Sequence, residues 1–191
     1  MSNPPRYFRL SEDVQSGNWY LGDPSDETGL EVEDIWAFAM GQPIPPPGHL
    51  TFPIREPGRR LDFCTAGVGS TPIVHVRVAN LFAELAPDDV QLFPVDVEGA
   101  PEQYVMLVAT KLIRCIDDQS TEEVLYWKSE DDRPDKLGQY RSVFGMRIDS
   151  TKVGDAKVFR TWGWSIALIV SEDLKVALER AKVTGAAFEE V

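Results

Sequence analysis

The sequence predicts an α+β fold with a largely antiparallel sheet, and three features support this class. Segments rich in Val, Leu, Ile and aromatic residues recur from residue 90 onward, separated by turn formers. Only two segments have apolar residues at the spacing of an amphipathic helix. Several strand-like segments therefore follow one another with no helix between them, which favours antiparallel pairing over repeated βαβ units.

The first helix is predicted near residues 77–85. The segment VANLFAEL has apolar residues at helical spacing, and the following APDD interrupts the pattern. The apolar positions of this helix are Val78, Leu81, Phe82 and Leu85.

The second helix is predicted at about residues 172–182, within SEDLKVALERAKVTG. Ser171 is expected to cap it by accepting a backbone N–H, and Glu172 and Asp173 complement the positive end of the helix dipole. Gly185 is expected to supply the left-handed conformation that stops the helix. Its apolar face consists of Leu174, Ala177, Leu178 and Ala181.

Strands are predicted for segments rich in β-branched and aromatic residues. VQLFPVDVEG and QYVMLVATKLIRCID are expected to pair as a hairpin across the turn GAPE. The other candidate strands are RYFRL, EVLYWK, QYRSVFGMRID, WSIALIV and the closing AAFEEV.

Residues 1–70 are predicted to be irregular and to wrap onto a core formed by residues 71–191. Their turn-rich segments GDPSDETG, GQPIPPPGH and REPGRR argue against long elements, but an unfolded tail would contain fewer aromatic residues. A single domain over residues 1–191 is expected, because a chain of this length buries about 70% of its unfolded surface. The aromatic residues concerned are Trp19, Tyr20, Trp36, Phe38, Phe52 and Phe63.

All of the net charge lies in two short segments. The chain has 31 acidic and 19 basic residues, for a net charge of −12. Residues 23–34 contain six acids and no base, residues 117–135 contain eight acids and two bases, and the remainder has 17 of each. Charge concentrated in this way repels nucleic acid phosphates and anionic membranes, and it accelerates association with a cationic partner.

The segment CIDDQSTEEVLYWKSEDDRPD, residues 115–135, has three interpretations: a metal site, a docking surface for a basic partner, or a solvated loop. A metal site is disfavoured, because Asp117 and Asp118 on a strand would point to opposite faces and no third ligand is apparent. A docking surface is favoured, because the aromatic residues Tyr126 and Trp127 lie between two acidic clusters. The solvated loop remains an open alternative.

No motif in the sequence predicts an enzyme, a cofactor or a structural metal. His49 and His75 are interpreted as structural or capping residues, and Cys64 and Cys115 as small buried residues. AGVGSTP resembles part of a phosphate-binding loop, but it lacks the required lysine and is expected to form a tight turn.

The segment RTWGWS contains two tryptophans that could stack on a base or a sugar. Aromatic platforms for nucleic acids lie in basic surroundings, which this chain lacks. Trp162 and Trp164 are therefore expected to lie on one face of a strand and to cover the core.

A cytoplasmic protein is expected from two features. No apolar run approaches the ~20 residues of a membrane span, and MSNPPRYFRL lacks the apolar core of a signal peptide.

Several segments, taken in their order and spacing, resemble a family of bacterial immunity proteins from polymorphic toxin systems, first catalogued as a domain of unknown function. The similarity covers roughly residues 70–191. It lies in HVRVANLFAELAPDDVQLFPVDVEG, YVMLVATKLIRCID, KVFR and IVSEDLKVALERAKVTGAAFEEV.

The resemblance implies a non-catalytic protein that binds and blocks a cognate toxin domain, often a nuclease. The concentrated negative charge implies no direct contact with nucleic acid or membrane. It transfers no functional residues, so the partner-binding surface is taken from the acidic and aromatic segment. A regulatory or binding module for another basic protein is the alternative. The residues expected to bind the partner are Asp117, Asp118, Glu122, Glu123, Tyr126, Trp127, Glu130, Asp131 and Asp132.

Overall fold

Two β-sheets, two α-helices and a two-stranded ribbon make up the computed structural model, which describes residues 4–191. The helices are α1 (Val76–Leu85) and α2 (Glu172–Arg180). The strands are β1 (Tyr7–Glu12), β2 (Tyr20–Leu21), β3 (Thr51–Phe52), β4 (Ile54–Glu56), β5 (Phe63–Ala66), β6 (Thr71–His75), β7 (Val90–Val97), β8 (Ala100–Ala109), β9 (Leu112–Ile113), β10 (Glu123–Tyr126), β11 (Tyr140–Phe144), β12 (Val158–Thr161), β13 (Trp164–Ser171) and β14 (Ala186–Glu190).

The predicted α+β class and the largely antiparallel sheet are confirmed. A five-stranded sheet has the order β14-β1-β13-β12-β9, a seven-stranded sheet has the order β3-β7-β8-β6-β5-β2-β4, and β10 and β11 form the ribbon. Across the described residues, only the pairs β9–β12, β2–β5 and β3–β7 are parallel. The expected hairpin is β7–β8, whose strands meet at the pair Val97 and Ala100.

Both helices lie where the sequence predicts them, with differences at their ends. His75 caps α1 through Nδ1, which accepts the backbone N–H of Arg77 at 3.2 Å. The expected cap by Ser171 is wrong, because its hydroxyl donates to the carboxylate of Asp173 and accepts no backbone N–H. Gly185 has the expected positive φ of 87°, but it lies beyond the helix end, directly before β14.

The N-terminal part contributes the short strands β2, β3 and β4 to the seven-stranded sheet. The strands β2, β3 and β4 are only two or three residues long, which explains why no alternating pattern reveals them. Four of its aromatic residues are buried, namely Trp19, Phe38, Phe52 and Phe63. Tyr20 and Trp36 instead remain exposed.

Three buried clusters hold the elements together. The cluster between the two sheets combines side chains of β1 and β13 with side chains of β6, β8 and both helices. A second cluster joins the seven-stranded sheet to the N-terminal part, and a third lies beneath the ribbon. Cys64 and Cys115 are buried as expected, and burial raises the pKa of the Cys115 thiol to about 12.

Two expectations about strands are wrong. The predicted strand QYVMLVATKLIRCID is interrupted at Thr110 and Lys111, which separate β8 from β9. Asp118 lies in a turn and Asp117 directly before it, so neither is on a strand. Trp162 does not share a strand face with Trp164. It lies in the two-residue turn between β12 and β13, where the Arg114 guanidinium stacks 4.3 Å from its ring.

Buried carboxylates connect distant parts of the chain. Asp89 precedes β7, and its Oδ2 accepts the backbone N–H groups of Lys157 at 2.6 Å and Val158 at 3.1 Å. Its Oδ1 lies 2.6 Å from the ammonium of Lys111. A single side chain thereby ties the seven-stranded sheet to β12 of the five-stranded sheet.

Asp62 makes a similar connection near β5. Its carboxylate accepts from the Arg77 guanidinium on α1 and from the Thr184 backbone N–H at 2.9 Å. Burial alone would raise the pKa of Asp62, but the hydrogen bonds from Arg77 and Thr184 outweigh burial and lower it to about 2.

Neither α-helix within residues 4–191 is long and apolar enough to cross a membrane.

Replacing Asp89 with alanine should lower the free energy of unfolding by about 3 kcal/mol, because two backbone N–H groups and Lys111 lose a charged acceptor. Urea unfolding followed by circular dichroism measures the change. The adjacent Asp88 is exposed, so Asp88→Ala is a matched control that should change stability by less than about 0.5 kcal/mol. Equal losses in the two variants would contradict the assigned role of Asp89.

Asp62 should make stability fall in acid. The pKa of Asp62 is about 2 in the folded protein and 3.8 in the unfolded chain. The Asp62 carboxylate therefore contributes to the free energy of unfolding above pH 3.8, and this contribution is lost as the pH falls toward 2. The loss is about 2 kcal/mol. Unfolding free energies of wild type and Asp62→Asn, measured across this pH window, should therefore converge. Parallel curves would show that Asp62 does not titrate as proposed.

Candidate functional site

The ribbon of β10 and β11 carries the acidic and aromatic segment. Its base is fixed by backbone hydrogen bonds from Asp117 N to Arg147 O at 2.9 Å and from Asp149 N to Cys115 O at 2.7 Å. Val143 on one face packs against the buried cluster below the ribbon. The opposite face is therefore directed to solvent.

Asp118 is held by two tyrosines. Tyr126 and Tyr140 are paired across the strands, and their rings stack with centroids 4.9 Å apart. The hydroxyl of Tyr140 donates to Asp118 Oδ1 at 2.6 Å, and the hydroxyl of Tyr126 donates to Oδ2. Burial and the Asp118 carboxylate raise the pKa of Tyr140, and the hydrogen bond to Asp118 raises the pKa of Tyr126. Asp118 thus fixes the turn that precedes β10 to the two strands of the ribbon.

Asp117 closes the turn at the base of the ribbon. Its Oδ2 accepts from Ser120 Oγ at 2.6 Å, and its Oδ1 accepts the backbone N–H of Gln119 at 3.1 Å. The hydrogen bond from Ser120 lowers the pKa of Asp117. Asp117 and Asp118 therefore serve separate internal contacts, and residues 4–191 contain no group of three or more His, Cys, Asp or Glu side chains that could hold a metal ion.

The loop that joins the two strands contains the second acidic cluster. Asp131 accepts the backbone N–H of Lys128 at 2.8 Å and a hydrogen bond from Arg141 at 3.0 Å, so it shapes the loop. Glu130 and Asp132 are exposed, and Glu130 makes only a loose ion pair with Lys128 at 3.7 Å. Of the three acids, Glu130 and Asp132 are the ones free to meet a partner.

Trp127 is half-buried beneath basic side chains. The charged groups of Lys136, Arg141 and Arg133 lie 5.3, 5.5 and 5.8 Å from its ring centre. These are cation–π contacts within the chain, made by the side chain that the sequence analysis proposed as an aromatic anchor. Tyr126 is 39% exposed and more accessible.

The solvent-directed face of the ribbon presents two apolar residues that the sequence analysis did not select. Leu125 is 50% exposed and Phe144 is 65% exposed. Phe144 lies directly opposite Glu123 in the register, so apolar and acidic side chains share this face. Glu122 approaches the same end, because its side chain lies over Gly145. We call Glu122, Glu123, Leu125 and Phe144 the ribbon face.

One sequence signal could have identified the ribbon face. EVLYWK and QYRSVFG have apolar residues at adjacent positions, so both faces of the strands carry them. A two-stranded ribbon lies against the protein on only one side, and the apolar residues of its other face must stay in water.

A groove runs beside the ribbon, and no residue of the ribbon face lines it. It has a volume of about 630 Å³, and its walls combine exposed Trp36 and Met40 of the N-terminal part with Trp127 and its basic neighbours. The acidic segment 23–34 directly precedes, in the chain, the residues of the N-terminal part that line the groove. Within that segment, Asp26 accepts the N–H groups of Thr28 and Leu30, so part of its charge serves a local turn.

The chain matches the family model described as "Immunity protein family (Imm11)" over residues 22–191. The match includes most of the N-terminal part, which the resemblance noted in the sequence did not cover. None of the curated proteins matches the chain.

Asp118→Ala should loosen the ribbon without unfolding the protein, because both tyrosine hydroxyls lose their charged acceptor. Hydrogen exchange of the Trp127 amide, which donates to Gln139 O at 3.0 Å, should accelerate about tenfold. Glu130→Ala removes an exposed carboxylate from the same hairpin and should leave this rate unchanged. An unchanged rate in Asp118→Ala would show that the ribbon does not depend on this cluster.

Proposed function

Because the chain belongs to the Imm11 immunity protein family, we propose that it binds a cognate toxin domain one to one and neutralises it without catalysing a reaction. The observation that supports the binding mode is the ribbon face, an exposed apolar patch bordered by carboxylates. Exposed apolar patches with polar rims are typical of protein-binding sites.

Phe144 and Leu125 are the proposed anchors of the interface. Both are exposed in the free protein, so a partner that covers them gains apolar burial. Protection inside the producing cell requires affinity on the order of nanomolar, near 12 kcal/mol, and charge at an exposed rim rarely supplies that alone. A buried aromatic side chain at the centre of the contact supplies a large share in other interfaces.

The acidic residues are proposed to attract and orient the toxin. Glu122, Glu123, Glu130 and Asp132 are exposed around or near the ribbon face, within a protein of net charge −12. A nuclease must present cationic groups to hold phosphates, so a nuclease domain is the proposed target. Long-range attraction between the two would raise the association rate and weaken as salt increases.

The other predicted residues are proposed to act by shaping this surface. Asp118 and Tyr126 brace the ribbon, while Asp117 and Asp131 fix its two turns. Trp127 supports the loop under its basic neighbours. The proposed site of action is the cytoplasm, where the toxin would meet its target.

A second candidate function is a binding module for another basic protein. The concentrated negative charge favours it equally, because electrostatic steering does not depend on the partner being a toxin. Only the immunity function predicts protection of a cell that produces the toxin.

Co-expression with the C-terminal toxin domain encoded in the adjacent reading frame tests the proposed function. The expected outcome is cell survival and purification of a one-to-one complex. Survival without the protein would show that the domain is not toxic, and death despite co-expression would overturn the immunity function. A complex that forms without restoring survival would favour the second candidate.

Phe144→Ala should weaken the complex by about 2 kcal/mol, roughly 30-fold in Kd, mainly through faster dissociation, because the anchor loses its buried area. Surface plasmon resonance measures both rates. Val14→Ala, which shortens a side chain that is 85% exposed outside the ribbon, is the control and should not change either rate. Normal binding by Phe144→Ala together with weaker binding by Trp36→Ala would move the interface to the groove.

A further inference from the structure

The groove beside the ribbon is lined by more bases than acids, although the protein has a net charge of −12. Three bases and one carboxylate make up its charged lining, namely Arg133, Lys136, Arg141 and Asp135. Neither carboxylate of the ribbon face lines it. The groove and the ribbon face therefore present charges of opposite sign within one region of the protein.

Lys136 is the base in this lining whose charge the chain itself does not neutralise. Arg133 forms an ion pair with Asp135 at 2.9 Å. Arg141 forms one with Asp131 at 3.0 Å. Lys136 is partly exposed, and no carboxylate of residues 4–191 lies within 4.0 Å of its ammonium. This ammonium has no hydrogen-bond partner in the described chain and is not buried, so it is available to an acidic partner.

The Lys136 ammonium lies at an aromatic wall of the groove. It is 5.3 Å from the ring centre of Trp127, a lining residue, and the Arg141 guanidinium is 5.5 Å from the same centre. Attraction between a cation and an indole ring holds the flexible lysine near the apolar lining. A carboxylate that binds Lys136 must therefore lie beside apolar side chains.

Trp36 and Met40 form another wall, and the fold imposes their exposure. They lie in and directly after the short 3-10 helix Ile35–Ala39, which buries Ile35 and Phe38. Because that side of the helix packs on the core, Trp36 and Met40 remain 55% and 44% exposed. Exposed apolar side chains gathered at a groove are typical of binding sites.

The groove and the ribbon face share strand β11. Tyr140 lines the groove and Phe144 belongs to the ribbon face, and the two lie about 13 Å apart at roughly 3.3 Å per residue. A stable protein–protein interface covers about 800 Å² of each partner, a patch roughly 30 Å across. An interface of that size centred on the ribbon face extends as far as the groove.

The chemistry of the groove selects an acidic segment that carries a large apolar side chain. Its volume of about 630 Å³ lies within the roughly 300–1,000 Å³ of typical binding pockets. The apolar walls would bury the apolar side chain, while a neighbouring carboxylate pairs with Lys136. A basic segment would be repelled, and an uncharged segment would remove water from Lys136 without supplying a counter-charge.

We infer that the groove is a second contact for the toxin and binds an acidic, apolar segment of it, while the ribbon face meets the toxin's basic surface. The inference rests on the proposed function, because it takes the toxin as the partner. Two contacts of opposite charge favour one orientation of the complex, because the reversed orientation would bring like charges together.

Charge reversal at Lys136 tests the inference. Lys136→Glu and Arg180→Glu each replace a base with an acid, so each changes the net charge by −2, from −12 to −14. Arg180 is exposed on α2 and does not line the groove, which makes it the matched control. Surface plasmon resonance measures binding of the toxin domain used for co-expression. Arg180→Glu should associate with a basic toxin at least as fast as wild type, whereas Lys136→Glu should raise Kd at least about tenfold.

Trp36→Ala tests the apolar part of the groove independently. It should raise Kd at least about tenfold, mainly through faster dissociation, because the toxin's apolar side chain loses contact area. Tyr20→Ala removes an aromatic side chain that is 40% exposed outside the groove and the ribbon face, and it should change neither rate. The Trp36→Ala result decides the question if Lys136→Glu does not fold.

The opposing outcomes are distinct. Toxin binding by wild type, together with equal Kd values within both matched pairs of variants, would overturn this inference and leave the proposed function standing. No binding by wild type would overturn both. Light scattering of the protein alone detects a different occupant, because a dimer that Lys136→Glu dissociates would assign the groove to a second copy of the chain and overturn the inference.

Discussion

The buried carboxylate of Asp89 sets how the two sheets meet. The apolar cluster between the sheets favours burial, but apolar contacts carry little directional preference. Asp89 fixes the relative orientation of the two sheets, because its two oxygens contact backbone N–H groups at the start of β12 and the ammonium of Lys111 after β8. Asp62 acts similarly at β5, where it joins α1 to the segment before β14. The ribbon is then held on a framework whose orientation is already determined.

The ribbon combines two requirements in one small element. Its inner side must pack on the cluster that contains Cys115 and Phe159, and its outer side is left with Leu125 and Phe144 in water. The neighbouring carboxylates keep that apolar surface soluble and disfavour contacts between copies of the chain, which would bring like charges together. The same carboxylates would attract a cationic partner. These side chains therefore oppose self-association and favour binding of a basic protein.

Much of the fold could be predicted because local patterns coincide with tertiary structure. The helices around Phe82 and Leu178 and the hairpin β7–β8 carry their own periodicity and turn signals. The details that failed depend on contacts distant in sequence. Ser171 turns to Asp173, which is itself held by Lys157, and Asp118 is captured by tyrosines 8 and 22 residues away. The composition of the sequence located the acidic hairpin. Only the contacts in the structure show which of its carboxylates make no internal hydrogen bond and can meet a partner.

The position of β1 in the five-stranded sheet has a consequence for synthesis on the ribosome. Its neighbours are β13 and β14, so Phe8 is paired with Val170 on one side and Glu190 on the other. β13, at residues 164–171, must emerge before β1 finds a strand partner in the sheet, and contacts this distant in sequence form slowly. A chain interrupted during translation would lack the centre of the sheet. The five-stranded sheet therefore assembles around β1 only after residues 164–190 have left the ribosome, so the framework that holds the ribbon is absent from shorter nascent chains.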